Sequence, residues 1–345
     1  MKKSIFTLVM FCYALMGKAQ VTDEQSALLQ NGDNAQIFYG TNALVEALEA
    51  APDRGATITL SSGTFAGGTI TKCVNIYGAG WVEQKIARDN DNPSDNSILP
   101  TILSSRLTIS IPEELTAPHN IHIEGIRFPW ANAGGGIDCD KAIDGLEIMK
   151  CQMVDNGISL SFTAENKNVV VTQCHIRYAS GLGDALFQNC YLGNCGDIRC
   201  RDVNESKVVI NHCISSTYYS YPSDHKALFT NCMIYNGFGI PSASTARNCT
   251  FDVASITNVG SEDNIFSVNY NQIFEDATGI GYTDARTFKI KDELVNTYMG
   301  NDGTEIGING GNYPWNKTPH TPLVKDLQLS IDGKQLKVEY SAETR

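Results

Sequence analysis

Between Ile121 and Val253 one short phrase recurs at uneven intervals: IHIEGIRF, LEIMKCQM, VVVTQCHI, ALFQNCYL, VVINHCIS, ALFTNCMI and STARNCTF. Aligned on Ile126, Cys151, Cys174, Cys190, Cys213, Cys232 and Cys249, the copies place Ile123, Ile148, Val171, Phe187, Ile210, Phe229 and Ala246 three positions before the anchor. Two positions after it come Phe128, Met153, Ile176, Leu192, Ser215, Ile234 and Phe251, so only the fifth copy departs from an apolar residue. Alternation at period two, a two-residue step, then alternation again marks two short strands joined by a bend, which no helix gives. Repeats of roughly 20 residues built on such a unit bury their apolar side chains only by stacking on their neighbours. The fold expected is all-β, a single-stranded parallel β-helix with strands about 4.8 Å apart along its axis. The anchors should then form an internal column.

That column decides how the cysteines are read. The chain begins MKKSIFTLVMFCYALMGKAQ, with two lysines, an apolar run from Ile5 to Met16, and small residues at Gly17 and Ala19. This is the form of a secretory signal peptide over residues 1–19, cut after Ala19. Phe11 is too large to precede a lipidated cysteine at Cys12. Removing Cys12 leaves ten of the eleven cysteines, an even number in an exported protein, whose reflex reading is five disulfides. Six of them, however, are anchors, and in-register side chains pointing the same way bridge poorly. A buried stack of free thiols acting as small apolar residues is expected instead. Metal binding by the stack is disfavoured because its ligands would form a row and not a tetrahedron.

With 345 residues the chain suffices for one long solenoid. No later apolar run is long enough to span a bilayer, so the expectation is an exported chain with no transmembrane segment, in the periplasm, at the cell surface or in the medium. Its formal charge of −12 becomes −15 once Lys2, Lys3 and Lys18 are removed. Such acidity argues against nucleic acid and anionic membranes as partners. It disfavours an acidic polysaccharide too, unless a local basic patch or a bound cation intervenes.

Before the repeats, ALVEALEAA reads as a helix that Asn42 can cap and that Pro52 and Gly55 close. The strands TITL and TITKCVNIYGAGW follow, around a turn at Ser61-Ser62-Gly63-Thr64. A helix laid over the first turn would cover the apolar end of a solenoid. Residues Ser61 to Phe65 and Gly78 to Gly80, after this helix, resemble the amino-terminal cap and first turn of the pectin-lyase-like right-handed parallel β-helix superfamily. With the repeats the resemblance covers roughly Asn42 to Phe266, and it implies a right-handed β-helix with an N-terminal capping helix over residues 20–311. The segment Asp302-Gly303-Thr304-Glu305-Ile306-Gly307 with Gly310-Gly311 is similar to the closing segment of many exported Bacteroidetes β-helix proteins. Residues 312–345 form a tail in which LQLSI and KQLKVEY around Asp332-Gly333 predict a hairpin. Between Glu83 and Ser105 a polar insertion lacks the ordered spacing of an EF-hand and reads as a surface loop.

A third strand per turn is expected in GGIDCDK, GISLSF and CGDIRCRD. If Ile137/Cys139, Ile158/Leu160 and Ile198/Cys200 point inward, then Asp138/Asp140, Ser159/Ser161 and Arg199/Arg201 share an outward face, which Asp184 can join. The resemblance implies a chemistry for that face. In β-helix lyases of acidic polysaccharides, carboxylates hold calcium against the sugar carboxylate and an Arg or Lys abstracts the neighbouring proton. Asp138, Asp140, Asp184, Arg199 and Arg201 are therefore the candidate catalytic residues, with calcium the candidate cofactor. Asp138 and Arg199 nonetheless stand about three turns, or about 14 Å, apart. A ladder of opposite charges between turns is the competing reading, each pair contributing roughly 0.2–1 kcal/mol.

A second outward face follows the anchors and carries Arg127, His175, Arg177, Tyr191, Tyr235 and Asp252. In composition it resembles a sugar-binding strip, with aromatic faces to stack on rings and His and Arg to bond hydroxyls or carboxylates. The loop with Tyr218, Tyr219, Tyr221, His225 and Lys226 is a further candidate. Outward Val170, Leu186, Val209 and Leu228 call for a cover such as a loop, the tail or a partner chain. No Asn-Thr-Asp, Gly-His-Gly, phosphate loop, zinc spacing or Ser/His/Asp order is present. The sequence thus points to an exported protein that binds or processes carbohydrate, as a polysaccharide lyase or hydrolase. The other class is a non-catalytic rod displaying a binding face. The two differ in whether acid, base and any cation converge in one groove.

Overall fold

The computed structural model describes residues 25–85, 97–128, 135–154, 159–193, 198–202, 204–216, 226–235, 239–276 and 278–320, with the backbone of 323–332 and 335–343. The expected signal sequence, most of the polar insertion, Ile158, Cys195 and the Tyr218–His225 loop lie outside the described residues.

Three sheets make up the body. The first opens with antiparallel strands Asn34–Tyr39 and Ser26–Asn31 on Arg54–Leu60. It then runs parallel from Arg54–Leu60 through Cys73–Tyr77, Ile121–Glu124, Ile143–Met149, Asn166–Thr172, Asp184–Gln188, Lys207–Asn211 and Leu228–Thr230 to Thr245–Arg247. The second stacks nine short strands from Gly63–Phe65 to Thr250–Phe251, and the third stacks six from Thr69–Ile70 to Ile198–Cys200. Long parallel sheets winding turn upon turn fit a parallel β-helix. Helix α1, Ala43–Ala50, buries Ala43, Leu44, Ala47 and Leu48 and packs on the first strands. Asn42 stands at its N-cap position but makes no side-chain capping bond.

The register is the one the phrase requires. Ile123, Ile148, Val171, Phe187, Ile210, Phe229 and Ala246 pair in turn along the first sheet. Phe128, Met153, Ile176, Leu192, Ser215, Ile234 and Phe251 do so along the second. All fourteen are almost fully buried, Ser215 included. The bend between the sheets is one left-handed residue immediately before each anchor: Gly125, Lys150, Gln173, Asn189, His212, Asn231 and Asn248, with φ from 47° to 72°. Asn tolerates that conformation at low cost, whereas Lys, Gln and His need support from their surroundings.

The thiols supply part of it. Each anchor Sγ from Cys151 to Cys249 donates to the carbonyl two residues earlier at 3.1–3.3 Å. The N–H of each of the first five approaches the next anchor's Sγ at 3.3–3.5 Å. The row therefore answers anchor N–H groups that the bend turns away from the ladder, while each of these carbonyls also accepts the N–H of the bend residue one turn earlier. All nine described cysteines are free and buried, and burial pushes the Cys174, Cys213 and Cys249 thiols well above their ordinary range.

The third sheet contains the expected strands, with one adjustment. Leu160 and Phe162 point inward opposite Ile137 and Cys139, and Ser159 and Ser161, placed outward by the alternation, are both buried. The tail forms the expected hairpin, Leu323–Asp332 with Gln335–Glu343. No helix among the described residues is long and apolar enough to cross a membrane.

Candidate functional site

From Ser267 to His320 the chain travels back along the body, over the left-handed bend and the outer face of the second sheet. Five of the seven bend residues meet it, in reverse order. Asn231 bonds Asn301 at 3.0 Å, and His212 Nε2 meets Asp302 at 2.8 Å. Asn189 donates to the Ile308 and Gly310 carbonyls at 2.8 and 2.7 Å. Gln173 reaches the Tyr313 and Pro314 carbonyls, and Lys150 reaches His320 at 3.3 Å. The Gly-rich closing segment is thus a strap fastened to the bend. Beneath it lies a second apolar core, in which Tyr191, Ile214 and Met233 of the second sheet meet Ile273, Phe274, Phe288 and Ile306 of the strap.

This placement corrects the outward strip. Tyr191 is 1 % exposed and His175 3 %. The His175 ring lies 3.9 Å from Tyr282 and 5.0 Å from Tyr191. Burial, aided by Arg127, drives the His175 imidazole down to about 3, so it is neutral. The strap covers both residues because their row continues into apolar Ile214 and Met233, which need shelter from water. Tyr235 remains 47 % exposed, edge-on to Tyr270, and Arg127, Arg177 and Asp252 are half-buried along the same face.

The third-sheet candidates do not converge either. Asp138 pairs with Arg106 at 2.6 Å. It is in register with Ser161, then Ser180, with Arg199 on the following strand, which leaves the three-turn gap intact. Arg199 lies over the Tyr178 ring at 5.3 Å, and Asp140 and Arg201 are exposed at strand ends. Asp184 belongs to the first sheet, opposite Lys207, and not to this face. Among the described residues no group of three or more His, Cys, Asp or Glu side chains is arranged to hold a metal ion. The row Val170, Leu186, Val209 and Leu228 is in register and half-buried.

The strap itself contains a cleft of about 830 Å³, whose lining includes Glu275, Arg286, Lys289, Glu305, Trp315 and Lys317. Arg286 is 4 % exposed. Its Nη1 donates to the Gly279 and Gly281 carbonyls at 3.1 and 3.0 Å, and its Nε lies 3.3 Å from Asp276. The guanidinium rests on Phe288 at 4.4 Å and Phe274 at 5.1 Å, while its buried Nη2 has no hydrogen-bond partner. Burial opposes the Asp276 charge, but the N–H and hydroxyl of Thr287, the Phe288 N–H and Arg286 outweigh it and hold that carboxyl below its usual range.

Lys317 donates to the Asp284 and Arg286 carbonyls, and burial lowers its ammonium against the pull of Asp284 and Asp276. Lys289 bridges Glu275 at 2.9 Å and Asp292 at 3.2 Å. Burial raises the Glu305 carboxyl, an effect that Asn309, Lys289 and His212 only partly offset. Trp315 sits 5.7 Å from Trp81, edge to face, and its buried Nε1 is without a partner. An indole, a guanidinium, two ammonium groups and two carboxyls therefore belong to the lining of one cleft. None of these residues belongs to the repeat, so its periodicity carried no sign of them.

A second charged cluster fastens the strap's end. His122 Nδ1 meets Glu147 at 2.8 Å and its Nε2 meets Glu124 at 3.1 Å. Glu124, 1 % exposed, accepts the His320 N–H at 2.7 Å and lies 4.0 Å from Lys150, itself 2 % exposed. Burial opposes the His122 charge, but the bonds to both glutamates outweigh it and raise the imidazole to about 9. Burial would likewise raise Glu124, and bonds from His122 and His320 instead hold it below its usual range.

No family model matches the chain, and neither a curated protein nor a solved structure does.

Proposed function

We propose that this chain is an exported, right-handed parallel β-helix of the pectin-lyase-like type that binds carbohydrate in the strap cleft. The N-terminal signal sequence supports export, and the Ser61–Phe65 and Gly78–Gly80 motifs support the family and a capping role for α1. One observation carries the ligand class: Trp315 lines a cleft together with the cationic side chains Arg286, Lys289 and Lys317. An indole edge or face suits a pyranose ring, and cationic side chains in the same lining favour a hydroxyl, carboxylate or sulfate on it. The local cations Arg286, Lys289 and Lys317 answer the objection that the chain's overall acidity raises against anionic glycans.

The test is binding of the mature chain to neutral, uronate-bearing and sulfated oligosaccharides, followed by calorimetry and by Trp fluorescence. Trp315→Ala and Lys317→Ala should each weaken binding at least tenfold, with circular dichroism checking that each variant remains folded at the assay temperature. Binding unchanged in both variants would refute the cleft as the site.

The display-rod reading keeps one observation in its favour. The third-sheet charges are spread along the axis, with Asp138 engaged by Arg106, as a ladder between turns requires. It predicts glycan binding that Arg199→Ala and Arg201→Ala weaken and that Trp315→Ala leaves unchanged.

A further inference from the structure

The two ends of the first sheet are finished differently. At the far end Thr245–Arg247 is covered: Arg247 bridges in parallel to Glu262 and pairs with it at 3.1 Å, and the Glu262 N–H bonds the Ala246 carbonyl at 3.1 Å. At the head end Asn34–Tyr39 is the last strand, and among the described residues nothing pairs with its outer edge. Natural edge strands are guarded by charge, proline, a bulge or a covering segment. Asn-Ala-Gln-Ile-Phe-Tyr has neither charge nor proline, and its register with Ser26–Asn31 runs without a bulge. Ile37 and Tyr39 stand 53 % and 61 % exposed on it.

Which backbone groups are free follows from the hairpin. Asn31 pairs with Asn34 across the two-residue loop Gly32-Asp33, and residues flanking such a loop exchange hydrogen bonds. At the strand's other end the Gly40 N–H bonds the Gln25 carbonyl at 2.8 Å. Asn34, Gln36 and Phe38 therefore bond inward, which leaves the N–H and C=O of Ala35, Ile37 and Tyr39 at the open edge. The same three residues share the outer face, whereas Phe38 packs on the core. An antiparallel copy placed on a two-fold axis through Ile37 sets Ile37 against Ile37 and Ala35 against Tyr39 on either side. Every free group on both edges is then paired, and the exposed Ile37 and Tyr39 meet apolar partners.

We propose that the mature chain pairs with a second copy of itself through Asn34–Tyr39, joining two first sheets head to head across a two-fold axis at Ile37. This pairing is independent of the strap cleft. A second copy fits better than a loose peptide strand because its edge is already extended and held by the hairpin, so pairing costs little ordering entropy. Symmetry closes the contact at two chains, since each copy has one such edge and pairing uses it. The contact is confined to one short strand from each copy, a small interface, so monomer and dimer exchange with concentration.

The experiment measures the mass of the mature chain by sedimentation equilibrium from about 1 to about 500 µM. Wild type should pass from monomer to dimer over that range and go no further. Ile37→Lys and Ile37→Glu, at an exposed position where folding is not in question, should each raise the dissociation constant at least tenfold, because like charges then face each other across the axis. Mixed one to one, the two variants should recover the dimer, which follows only where residue 37 meets its own counterpart. Ala35→Pro deletes an edge N–H that no bond within the hairpin uses; it should weaken pairing too, with circular dichroism checking that the chain is folded. Val259→Lys, at a 91 % exposed site elsewhere, should leave pairing unchanged. A chain that stays monomeric throughout, or a dimer that Ile37→Lys leaves unchanged, would overturn the proposal. A mixture that recovers no dimer would overturn the axis at Ile37, and species larger than a dimer would overturn the two-fold closure.

Discussion

His122 makes the attachment of the strap depend on pH in a direction that can be worked out. Its folded-state value of about 9 lies above the ordinary histidine value of 6.5. A raised folded value means that the stabilisation is complete below about 6.5 and is lost as pH rises through about 9. A shift of roughly 2.5 units corresponds to about 3 kcal/mol at 1.36 kcal/mol per unit. His122 is only 15 % exposed, so solvent screening leaves most of that in place. Glu124 and Glu147 act oppositely. Their depressed values give stability above the ordinary carboxylate range and withdraw it as pH falls. The melting temperature of the mature chain, followed by circular dichroism at constant ionic strength, should therefore be flat from pH 5 to 6.5. It should then fall by roughly 6–12 °C by pH 10 at 2–4 °C per kcal/mol. Tyr77, whose ring lies tilted against His122 at 4.9 Å, is raised above its usual range by burial. His122→Gln should start lower and lose the alkaline step. A wild type without the step, or a variant that keeps it, would refute the assignment.

Three further outcomes follow from the same geometry. Asn189→Ala removes two bonds to the strap and places a Cβ-bearing residue in the left-handed bend. It should cost about 3 kcal/mol in denaturant unfolding and expose residues 300–320 to protease, with Asn189→Gly recovering about 1 kcal/mol of backbone strain. Thiol titration of the unreduced chain should find none of the nine described cysteines reactive in the native state and at least nine thiols in denaturant; fewer than nine would reveal a disulfide. Arg106→Ala breaks a half-exposed pair with Asp138, so it should lower stability by no more than about 1 kcal/mol and leave oligosaccharide affinity unchanged.

Much of the fold was legible because the solenoid repeats its physics. The apolar columns three before and two after each anchor fixed the register of two sheets, since a one-residue slip would turn every such side chain outward. The cysteines could be assigned to a row of thiols from that register alone. The bend was legible in principle: the residue before each anchor is Gly, Asn, His, Gln or Lys, and four of the seven are Gly or Asn, the types that accept a left-handed backbone. What the repeat could not carry was anything on the strap. Alternation places Tyr191 and His175 outward, which is correct for the sheet, yet outward from a sheet is not the same as toward water when a later segment lies across it. The Glu124 to His320 contact spans 196 residues, and no local pattern announces a partner so remote.

The strap also explains why the candidate chemistry is found away from the faces that the alternation singles out. A β-helix built from short in-register strands presents rows in which like positions repeat every turn. Acid, base and recognition groups placed on such rows are spread along the axis at about 4.8 Å intervals, as Asp138 and Arg199 are. Convergence needs a segment that leaves the register and folds on itself. The stretch from Ile273 to Thr318 does so through antiparallel bridges Phe274 to Ile290 and Met299 to Glu305, which bring Glu275, Lys289 and Glu305 to one cleft. The body then acts as an anvil: the bend side chains and the apolar row Tyr191, Ile214 and Met233 hold that segment in place. The burial that makes Arg286 and Glu305 chemically unusual is produced by packing that the repeat itself supplies.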